Sequence, residues 1–434
     1  MINKLLHPHQ NKHAISIIRS IKRYGSALDG SDTGTGKTYV SLAIAKYLNL
    51  IPIILVPLSA INSWEKVANL FEINIFIHNY EQFQRGNPRH ITKIERKYKD
   101  SFNTSYKWNT SSKHLIIFDE SHRCANHSTL NSKILRATLG TNSKVLALSA
   151  TLAEDPTQMY SVGLVLKLFH NWPTYVRWGL KRGMGKGWPK GYRFKKKNRE
   201  LNLCKINDDL YPSRGSRMRI ADIEGFPENL IITEAYNMNG AKIIQELYDE
   251  MKDTMQLTKR LLTRAKIEQF KLDTILEMTN DLLDEGKSVI IFVNFKDSIN
   301  CLSRKLKTKC IIDGSTTGNV RTKNIEDFQT NRSKVIICNN KAGGISINLH
   351  DIHGGHPRVS LISPPESARD LIQVFGRSHR DGTKSKTIQK IIWCANTVEE
   401  EMASNLNQKI GNIHIINDGD LADPRMVNLF DAKG

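Results

Sequence analysis

The eight residues Ser31-Asp32-Thr33-Gly34-Thr35-Gly36-Lys37-Thr38 precede residues 39–48, whose Ala, Leu, Ile and Val content predicts a helix. A loop that opens a helix suits phosphate binding, because a helix N-terminus offers unpaired backbone N–H groups and the positive end of its dipole. Ser31 stands where the strict phosphate-loop sequence has glycine, so an unrelated glycine-rich turn is the alternative. We expect nucleotide binding by Thr33, Gly34, Thr35, Gly36, Lys37 and Thr38.

Side chains in and beyond this loop predict a nucleotide that binds together with Mg²⁺. Lys37 would contact the β- and γ-phosphates, and the hydroxyl of Thr38 would bind the metal ion. Further along, the apolar run 115–118 leads directly into two carboxylates, Asp119 and Glu120. Ligands bind beyond the carboxyl ends of parallel strands, so Asp119 could hold Mg²⁺ and Glu120 could polarise a water for attack on the γ-phosphate. Two acids that merely form a turn are the alternative.

The composition describes an ordinary globular protein with an excess of positive charge. The 434 residues suffice for two or three domains, each with its own core. Lysine and arginine total 63 against 43 acidic residues, a net charge of +20. This excess favours a polyanionic partner, most simply nucleic acid. A solubilising surface, or the codon bias of an AT-rich gene, is the alternative explanation.

Membrane, secretion and disulfide signals are weak in this sequence. No apolar run reaches the ~18 residues of a membrane span, and the start lacks the features of a signal peptide. We therefore expect no membrane partner and an intracellular location: cytoplasm, nucleus or virus factory. The six cysteines are scattered with no C-x-x-C pair, which indicates reduced thiols rather than a zinc site or a disulfide framework.

Apolar runs that alternate with helical patterns predict the fold class. Residues 51–56, 73–77, 115–118 and 145–148 predict strands of a doubly wound parallel α/β sheet, while the polar stretch 84–113 predicts a surface excursion. After a helical region at 239–285, strand patterns recur at 288–293, 335–338 and 359–362 and predict a second sheet. The domains expected are residues 1–166, a basic insertion at 167–222, and residues 223–434.

The insertion has an unusual composition between Trp172 and Arg199. No acidic residue lies between Asp155 and Glu200, while basic and aromatic residues alternate. Basic groups neutralise phosphates and aromatic rings stack on bases, so the pattern predicts a nucleic-acid contact. A disordered basic loop is the alternative. The residues expected to make the contact are Lys181, Lys195, Lys196, Lys197, Trp178 and Trp188.

The order of motifs resembles a known protein family. Gln10, Gly-Thr-Gly-Lys-Thr, Asp-Glu-Ser-His and Ser-Ala-Thr follow one another as in the first RecA-like lobe of superfamily-two helicases. The later sequences KAGGISINL and QVFGRSHR resemble the fifth and sixth motifs of that superfamily. More narrowly, VPLSAINSWEK, NYEQF and QVFGRSHRDG are similar to Swi/Snf-type DNA translocases, above all the compact Swi/Snf-like helicases of large DNA viruses and phages. The resemblance covers nearly the whole chain.

The resemblance implies a role for each matching residue. Gln10 would read the adenine edge, Lys37 and Thr38 would contact phosphate and Mg²⁺, Asp119 would bind Mg²⁺, and Glu120 would be the base. The fold implied is two RecA-like lobes with ATP between them, and the arginine fingers that reach the γ-phosphate would be Arg377 and Arg380. The residues that couple ATP state to the nucleic-acid groove would be Ser149, Thr151 and Gln373. Further nucleic-acid contacts would be Ser59, Tyr80, Lys341 and Gly343.

Together these features predict an ATP-hydrolysing translocase or helicase that uses ATP and Mg²⁺ and moves on duplex DNA. An RNA helicase or a transcription-termination ATPase is the alternative within enzymes, and stimulation by different nucleic acids would separate them. A DNA-binding scaffold with a vestigial nucleotide site, or a phosphate-loop kinase, would be a protein of another class. The intact Lys37, Asp119 and Glu120 argue against the scaffold, and the two-lobe motif order argues against the kinase. No protein partner is indicated.

Overall fold

The computed structural model describes residues 2–98, 101–187, 191–195, 197–211, 213–224, 229–238, 240–252, 257–343, 347–380, 382–397 and 399–419. Two compact units share these residues. Residues up to 223, together with residues from 412 on, form the first unit, and residues 224–411 form the second.

The first unit contains a parallel sheet and two antiparallel hairpins. Its strands are β1 Ser26–Asp29, β2 Ile51–Val56, β3 Phe76–Asn79, β4 Ile91–Tyr98, β5 Ser101–Trp108, β6 His114–Asp119, β7 Lys144–Leu148, β8 Met184–Lys186, β9 Tyr192–Phe194 and β10 Gly215–Ser216. The sheet has the order β10-β1-β7-β6-β2-β3, and all its neighbouring strands are parallel. The pairs β4–β5 and β8–β9 are antiparallel.

Helices of the first unit connect these strands. They are α1 Pro8–Tyr24, α2 Lys37–Tyr47, α3 Ile61–Phe71, α4 Tyr80–Arg85, α5 Leu130–Ala137, α6 Tyr160–Val165, α7 Trp172–Leu180 and α8 Arg199–Leu210. Short 3₁₀ turns lie at Leu58–Ala60, Ser121–Cys124, Thr138–Gly140, Pro156–Gln158 and Ile220–Asp222.

Both faces of the first sheet are covered, which explains why the central residues of β2, β6 and β7 are apolar. In β2, Ile53 and Leu55 pack into one buried cluster, whereas Ile54 and Val56 pack into the cluster on the opposite face. Residues of the segment 167–222, which was predicted as a separate insertion, share the first of these clusters. They include Tyr175, Trp178, Met184, Leu203, Ile206 and Leu210.

The second unit contains a second parallel sheet. Its strands are β11 Asn229–Tyr236, β12 Ser288–Val293, β13 Ile311–Ile312, β14 Val335–Asn339, β15 Arg358–Ile362 and β16 Thr387–Cys394, in the order β11-β16-β15-β12-β14-β13. Its helices are α9 Ala241–Lys252, α10 Leu257–Asp284, α11 Lys296–Lys305, α12 Gly318–Gln329, α13 Asn340–Gly343, α14 Ala368–Ser378 and α15 Glu399–Asp418, whose last residues belong to the first unit. The predicted fold class, two parallel α/β sheets in tandem, is confirmed.

The fold places several polar residues at one edge of the first sheet. Carboxyl ends of parallel strands meet at the same edge, and ligands bind there in open α/β sheets. Asp29 ends β1, Asp119 ends β6, and Ser149 follows β7, which lies between them. Within the described part of the chain, no helix is both long and apolar enough to cross a membrane.

Candidate nucleotide-binding site

The loop between β1 and α2 has the backbone of a phosphate-binding loop. Gly34 and Gly36 both have φ near +86°, a left-handed conformation that glycine adopts without a steric penalty. Helix α2 begins at Lys37, so the loop leads into a helix N-terminus. The ammonium group of Lys37 donates to the backbone oxygens of Ser31 and Asp32, each at 2.9 Å. The ammonium group of Lys37 therefore lies over the phosphate loop, where it would contact a bound anion.

Gln10 supports the loop from helix α1. Its amide oxygen accepts from the backbone N–H of His7 at 3.0 Å, and Nε2 donates to the backbone oxygen of Thr35 at 3.0 Å. A Cβ at position 36 would come within 2.4 Å of that nitrogen, and the positive φ of Gly36 already disfavours a residue with a side chain there. Reading of adenine by Gln10 stays a prediction, and it would use the second N–H of the same nitrogen.

A buried polar network lies beneath the loop, and the sequence patterns did not reveal it. The side chain of Asp29 is 1% exposed; it accepts from the backbone N–H of Ser31 at 3.0 Å and lies 3.2 Å from His13 Nε2. The other ring nitrogen of His13 lies 2.8 Å from the hydroxyl of Ser216. Burial alone would raise the pKa of Asp29, but His13 and the charge of Lys37 lower it below its usual value. The network therefore holds an ionised carboxylate under the loop.

Asp119 is a partly buried carboxylate at the end of β6. Its Oδ2 accepts a hydrogen bond from Trp64 Nε1 at 2.9 Å, and its backbone oxygen accepts from the hydroxyl of Tyr80 at 2.7 Å. Burial and the neighbouring charge of Glu120 raise the pKa of Asp119 to about 6. The hydrogen bond from Trp64 and the charge of Lys37 lower the pKa, but by less. A cation at this carboxylate would offset both effects, so the residue suits metal binding.

Glu120 lies beside the Ser-Ala-Thr segment. Its backbone has φ of +56°, a strained conformation for a residue with a side chain. His122 Nδ1 lies 3.3 Å from Glu120 Oε2 and 3.2 Å from Ser149 Oγ, so one imidazole ring contacts both side chains. Ser149 Oγ also accepts from the backbone N–H of Thr151 at 3.2 Å. The structure thus brings together the predicted base and two predicted coupling residues.

Metal-binding side chains are few at this site. The described residues contain no group of three or more His, Cys, Asp or Glu side chains that could hold a metal ion. Magnesium in nucleotide enzymes usually keeps several waters and binds one or two protein oxygens plus phosphates. The hydroxyl of Thr38 and the carboxylate of Asp119 are oxygens of this kind.

In the second unit, helix α14 carries the predicted residues Gln373 and Arg377, whose side chains are 7% and 4% exposed. Arg380 follows the helix and is partly exposed; it donates to the backbone oxygen of Ile347 at 3.1 Å and also bonds the side chain of Asn348. The assignment of Arg377 and Arg380 as arginine fingers stays a prediction.

The second unit also contains a buried polar network that no sequence motif indicates. Glu268 of α10 is 3% exposed and accepts hydrogen bonds from the backbone and side chain of Asn294 and from the hydroxyl of Ser363. Asn340 donates to Asn294 Oδ1 at 2.8 Å. These side chains join the carboxyl ends of β12, β14 and β15, where no charged motif marked the sequence.

The predicted nucleic-acid residues divide by burial. Lys181, Lys195, Lys197 and Lys341 are exposed, and Ser59 is partly exposed. Gly343 ends helix α13. Trp188 and Lys196 lie outside the described residues.

Two of the predicted contacts are wrong. Trp178 is 8% exposed and its Nε1 donates to Asp209 at 2.8 Å, so its ring packs inside the first unit and cannot stack on a base. Tyr80 is fully buried. Aromatic residues in a basic segment indicated stacking, but only the packing of α7 against α8 decides which rings remain accessible.

Comparison with known proteins gives two family matches. The model described as Type III restriction enzyme, res subunit, matches residues 3–154, and the Helicase conserved C-terminal domain matches residues 271–382. Each match falls on one of the two sheets.

Similar proteins include helicases and related ATPases. The chain is 34% identical over 96% of its length to L364 of Acanthamoeba polyphaga mimivirus, named as an ATP-dependent RNA helicase, and covers 84% of that protein. It is 24% identical over 94% of its length to the ISWI chromatin-remodeling complex ATPase CHR17 of Arabidopsis thaliana, of which it spans only 42%. Among solved structures, Saccharomyces cerevisiae Dbp5 bound to RNA and ADP BeF3 has a TM-score of 0.51 and 14% identity, with 94% of this chain and 92% of that chain covered.

Proposed function

We propose that this chain, which belongs to the superfamily-two helicases, moves along duplex DNA at the expense of ATP. Use of ATP by a helicase or translocase follows from the family, whereas the kind of nucleic acid and the role of each residue are our proposal. The observation that carries the assignment of the ATP site is the meeting of Lys37, Asp119, Glu120 and Ser149 at one edge of the first sheet.

Lys37 and the phosphate loop bind the triphosphate. The lysine would leave the backbone oxygens of Ser31 and Asp32 for the β- and γ-phosphates, since an ammonium group binds anionic oxygens more strongly than neutral carbonyls. Thr38 and Asp119 would hold Mg²⁺, which neutralises charge on the phosphates when bound. Both residue types provide the hard oxygen ligands that this ion prefers.

Glu120 accepts a proton from the attacking water. Its carboxylate lies 3.3 Å from His122, and the same imidazole lies 3.2 Å from Ser149. A change in the protonation or position of Glu120 can therefore reach the Ser-Ala-Thr segment through one ring. Coupling of this kind makes hydrolysis depend on the state of the nucleic-acid groove.

Duplex DNA is favoured by two observations. The net charge of +20 suits a polyanion, and the Swi/Snf-type motifs match along nearly the whole chain. The exposed Lys181, Lys195 and Lys197 provide positive charge in the first unit. A protein that moves along DNA at the expense of ATP would be located inside a cell or a virus factory. An RNA helicase is the second candidate, because the mimivirus relative carries that name.

The test is an ATPase assay of the full chain with duplex DNA, single-stranded DNA, duplex RNA and single-stranded RNA at equal nucleotide concentration. We expect duplex DNA to give the largest increase in kcat. Lys37→Ala, assayed in parallel, should remove turnover and so exclude a contaminating ATPase. A larger increase with RNA than with duplex DNA would select the second candidate, and no turnover with any nucleic acid would contradict the proposed function.

A further inference from the structure

The last part of the basic insertion, residues 215–220, runs along the phosphate loop. Strand β10 pairs with β1 in parallel, with Asp29 opposite Ser216. Beyond the pair, the backbone N–H of Asp32 donates to the backbone oxygen of Met218, and the N–H of Met218 donates to the hydroxyl of Ser31, each at 3.0 Å. The N–H of Ile220 donates to Asp32 Oδ2, also at 3.0 Å. The first residues of the phosphate loop are therefore held by a segment far away in sequence.

Arg217 lies at the centre of this contact. Its Nη1 donates to the backbone oxygen of Gly30 at 2.5 Å, and Nη2 donates to Asp32 Oδ1 at 2.8 Å. Nε donates to Asp418 Oδ1 at 2.6 Å, and Nη2 also reaches Asp418 Oδ2 at 3.0 Å. Four of the five N–H groups of a guanidinium are used in this way. The side chains of Arg217 and Asp418 are only 8% and 10% exposed, so the ion pair is shielded from solvent.

Asp418 belongs to a segment, residues 412–419, that is built into the first unit; we call it the C-terminal clamp. Ile416 of the clamp is fully buried in the core of that unit. Asn417 Nδ2 donates to the backbone oxygen of Ala150 at 2.8 Å, between the two predicted coupling residues. Asn207 of α8 donates to the backbone oxygen of Ile416 at 3.0 Å. The clamp thus contacts the Ser-Ala-Thr segment, the basic insertion and, through Arg217, the phosphate loop.

We propose that the C-terminal clamp positions the phosphate loop for ATP, with Arg217 as the positioning residue that connects them. Asp32, which Arg217 holds, contributes the backbone oxygen that accepts from both Lys37 Nζ and Thr35 Oγ1, each at 2.9 Å. Displacement of Asp32 therefore displaces the lysine that binds phosphate. The inference rests on the proposed function, because it assigns a role in the same ATP site.

The charge state of the clamp supports a permanent contact. Burial alone would raise the pKa of Asp418, but hydrogen bonds and charge from His414 and Arg217 lower it to about 2. Asp418 is therefore ionised at every pH at which the protein would be assayed. Loss of this carboxylate leaves a buried guanidinium with one hydrogen-bonding partner fewer. The loss costs free energy in the folded protein, because water cannot replace the missing partner at a buried position.

The test compares Asp418→Asn with Asp222→Asn in the full chain. Asp222 pairs with Arg219, and both side chains are largely exposed, at 54% and 41%, so it is a matched control from the same region. Binding of MgATP is measured by titration calorimetry, and kcat and KM by the ATPase assay with duplex DNA. A hydrogen bond to a charged group corresponds to a change of roughly tenfold in affinity. We expect Asp418→Asn to weaken MgATP binding by roughly tenfold, and Asp222→Asn to change it by less than about twofold.

A merely structural role would have a different outcome. It would lower the melting temperature of Asp418→Asn and leave the MgATP affinity of the folded protein unchanged, which would overturn the inference. If Asp418→Asn does not fold, Arg217→Lys decides, because it keeps the charge but cannot make the four hydrogen bonds; it should also weaken MgATP binding. Nucleic-acid affinity without nucleotide should be unchanged in all variants. Failure of the wild-type chain to bind MgATP would instead contradict the proposed function itself.

Discussion

Replacement of Asp119 by Asn should stabilise the folded chain at pH 8 while removing MgATP hydrolysis. The carboxylate is partly buried and lies beside Glu120, and these two features raise its pKa from 3.8 to about 6. A group with a raised pKa binds its proton more tightly in the folded state, so it destabilises the fold progressively as the pH rises from about 4 to about 6. Asparagine keeps the shape and an oxygen acceptor for Trp64, but it cannot ionise.

The magnitude follows from the size of the pKa shift. A shift of roughly two units at 1.36 kcal/mol per unit gives about 3 kcal/mol of free energy of unfolding above pH 6. At pH 5 the folded carboxyl is mostly protonated, so only about half of that difference is present. For a unit of this size, 1 kcal/mol shifts the melting temperature by about 2–4 °C. The variant should therefore melt up to roughly 6–12 °C above wild type at pH 8, and about half as far above it at pH 5.

The assay is thermal unfolding of both proteins at pH 5 and pH 8, without nucleotide and with a chelator present. Asp29→Asn is the matched control with the opposite sign. His13 and Lys37 lower the pKa of Asp29, so its ionised form stabilises the fold and the substitution should lower the melting temperature at pH 8. An Asp119→Asn variant that melts at or below the wild-type temperature at pH 8 would refute the reasoning, because Asp119 would then carry no ionisation penalty.

Four further variants test the proposed roles. Glu120→Gln should keep MgATP affinity within about twofold by calorimetry and lose most of kcat, since it keeps the shape and loses the base; turnover at the wild-type rate would exclude Glu120 as the base. Arg377→Ala and Arg380→Ala should each lower kcat by about 10³-fold or more without changing DNA affinity in the absence of nucleotide; unchanged kcat would exclude a finger role. Replacement of Lys195 and Lys197 by Ala should reduce the slope of log affinity against log salt on duplex DNA by up to about 1.8, while basal ATPase is unchanged; an identical slope would exclude phosphate contacts.

Local patterns in the sequence were sufficient for the phosphate loop, the paired acids and the two parallel sheets. A glycine-rich loop before a helix binds anions through its own backbone, so the prediction needs no distant residue. Strands buried on both faces have apolar central residues, as β2 and β6 have, and this pattern is visible in any short window. The polar stretch 84–113, in contrast, was expected to be a surface excursion, and much of it forms the hairpin β4–β5.

Only the tertiary structure decided which side chains support the loop and which are accessible. Arg217 and Asp418 are separated by 201 positions, and nothing near either residue indicates the other. Trp178 belongs to a basic, aromatic segment, yet its ring is buried against Asp209 of a later helix. Backbone conformation and anion affinity depend on neighbours in sequence, whereas burial and charge pairing depend on which distant element packs against a residue. Amino-acid type at one position therefore predicts the chemistry that is available there, and the packed fold determines whether that chemistry faces a ligand or another side chain.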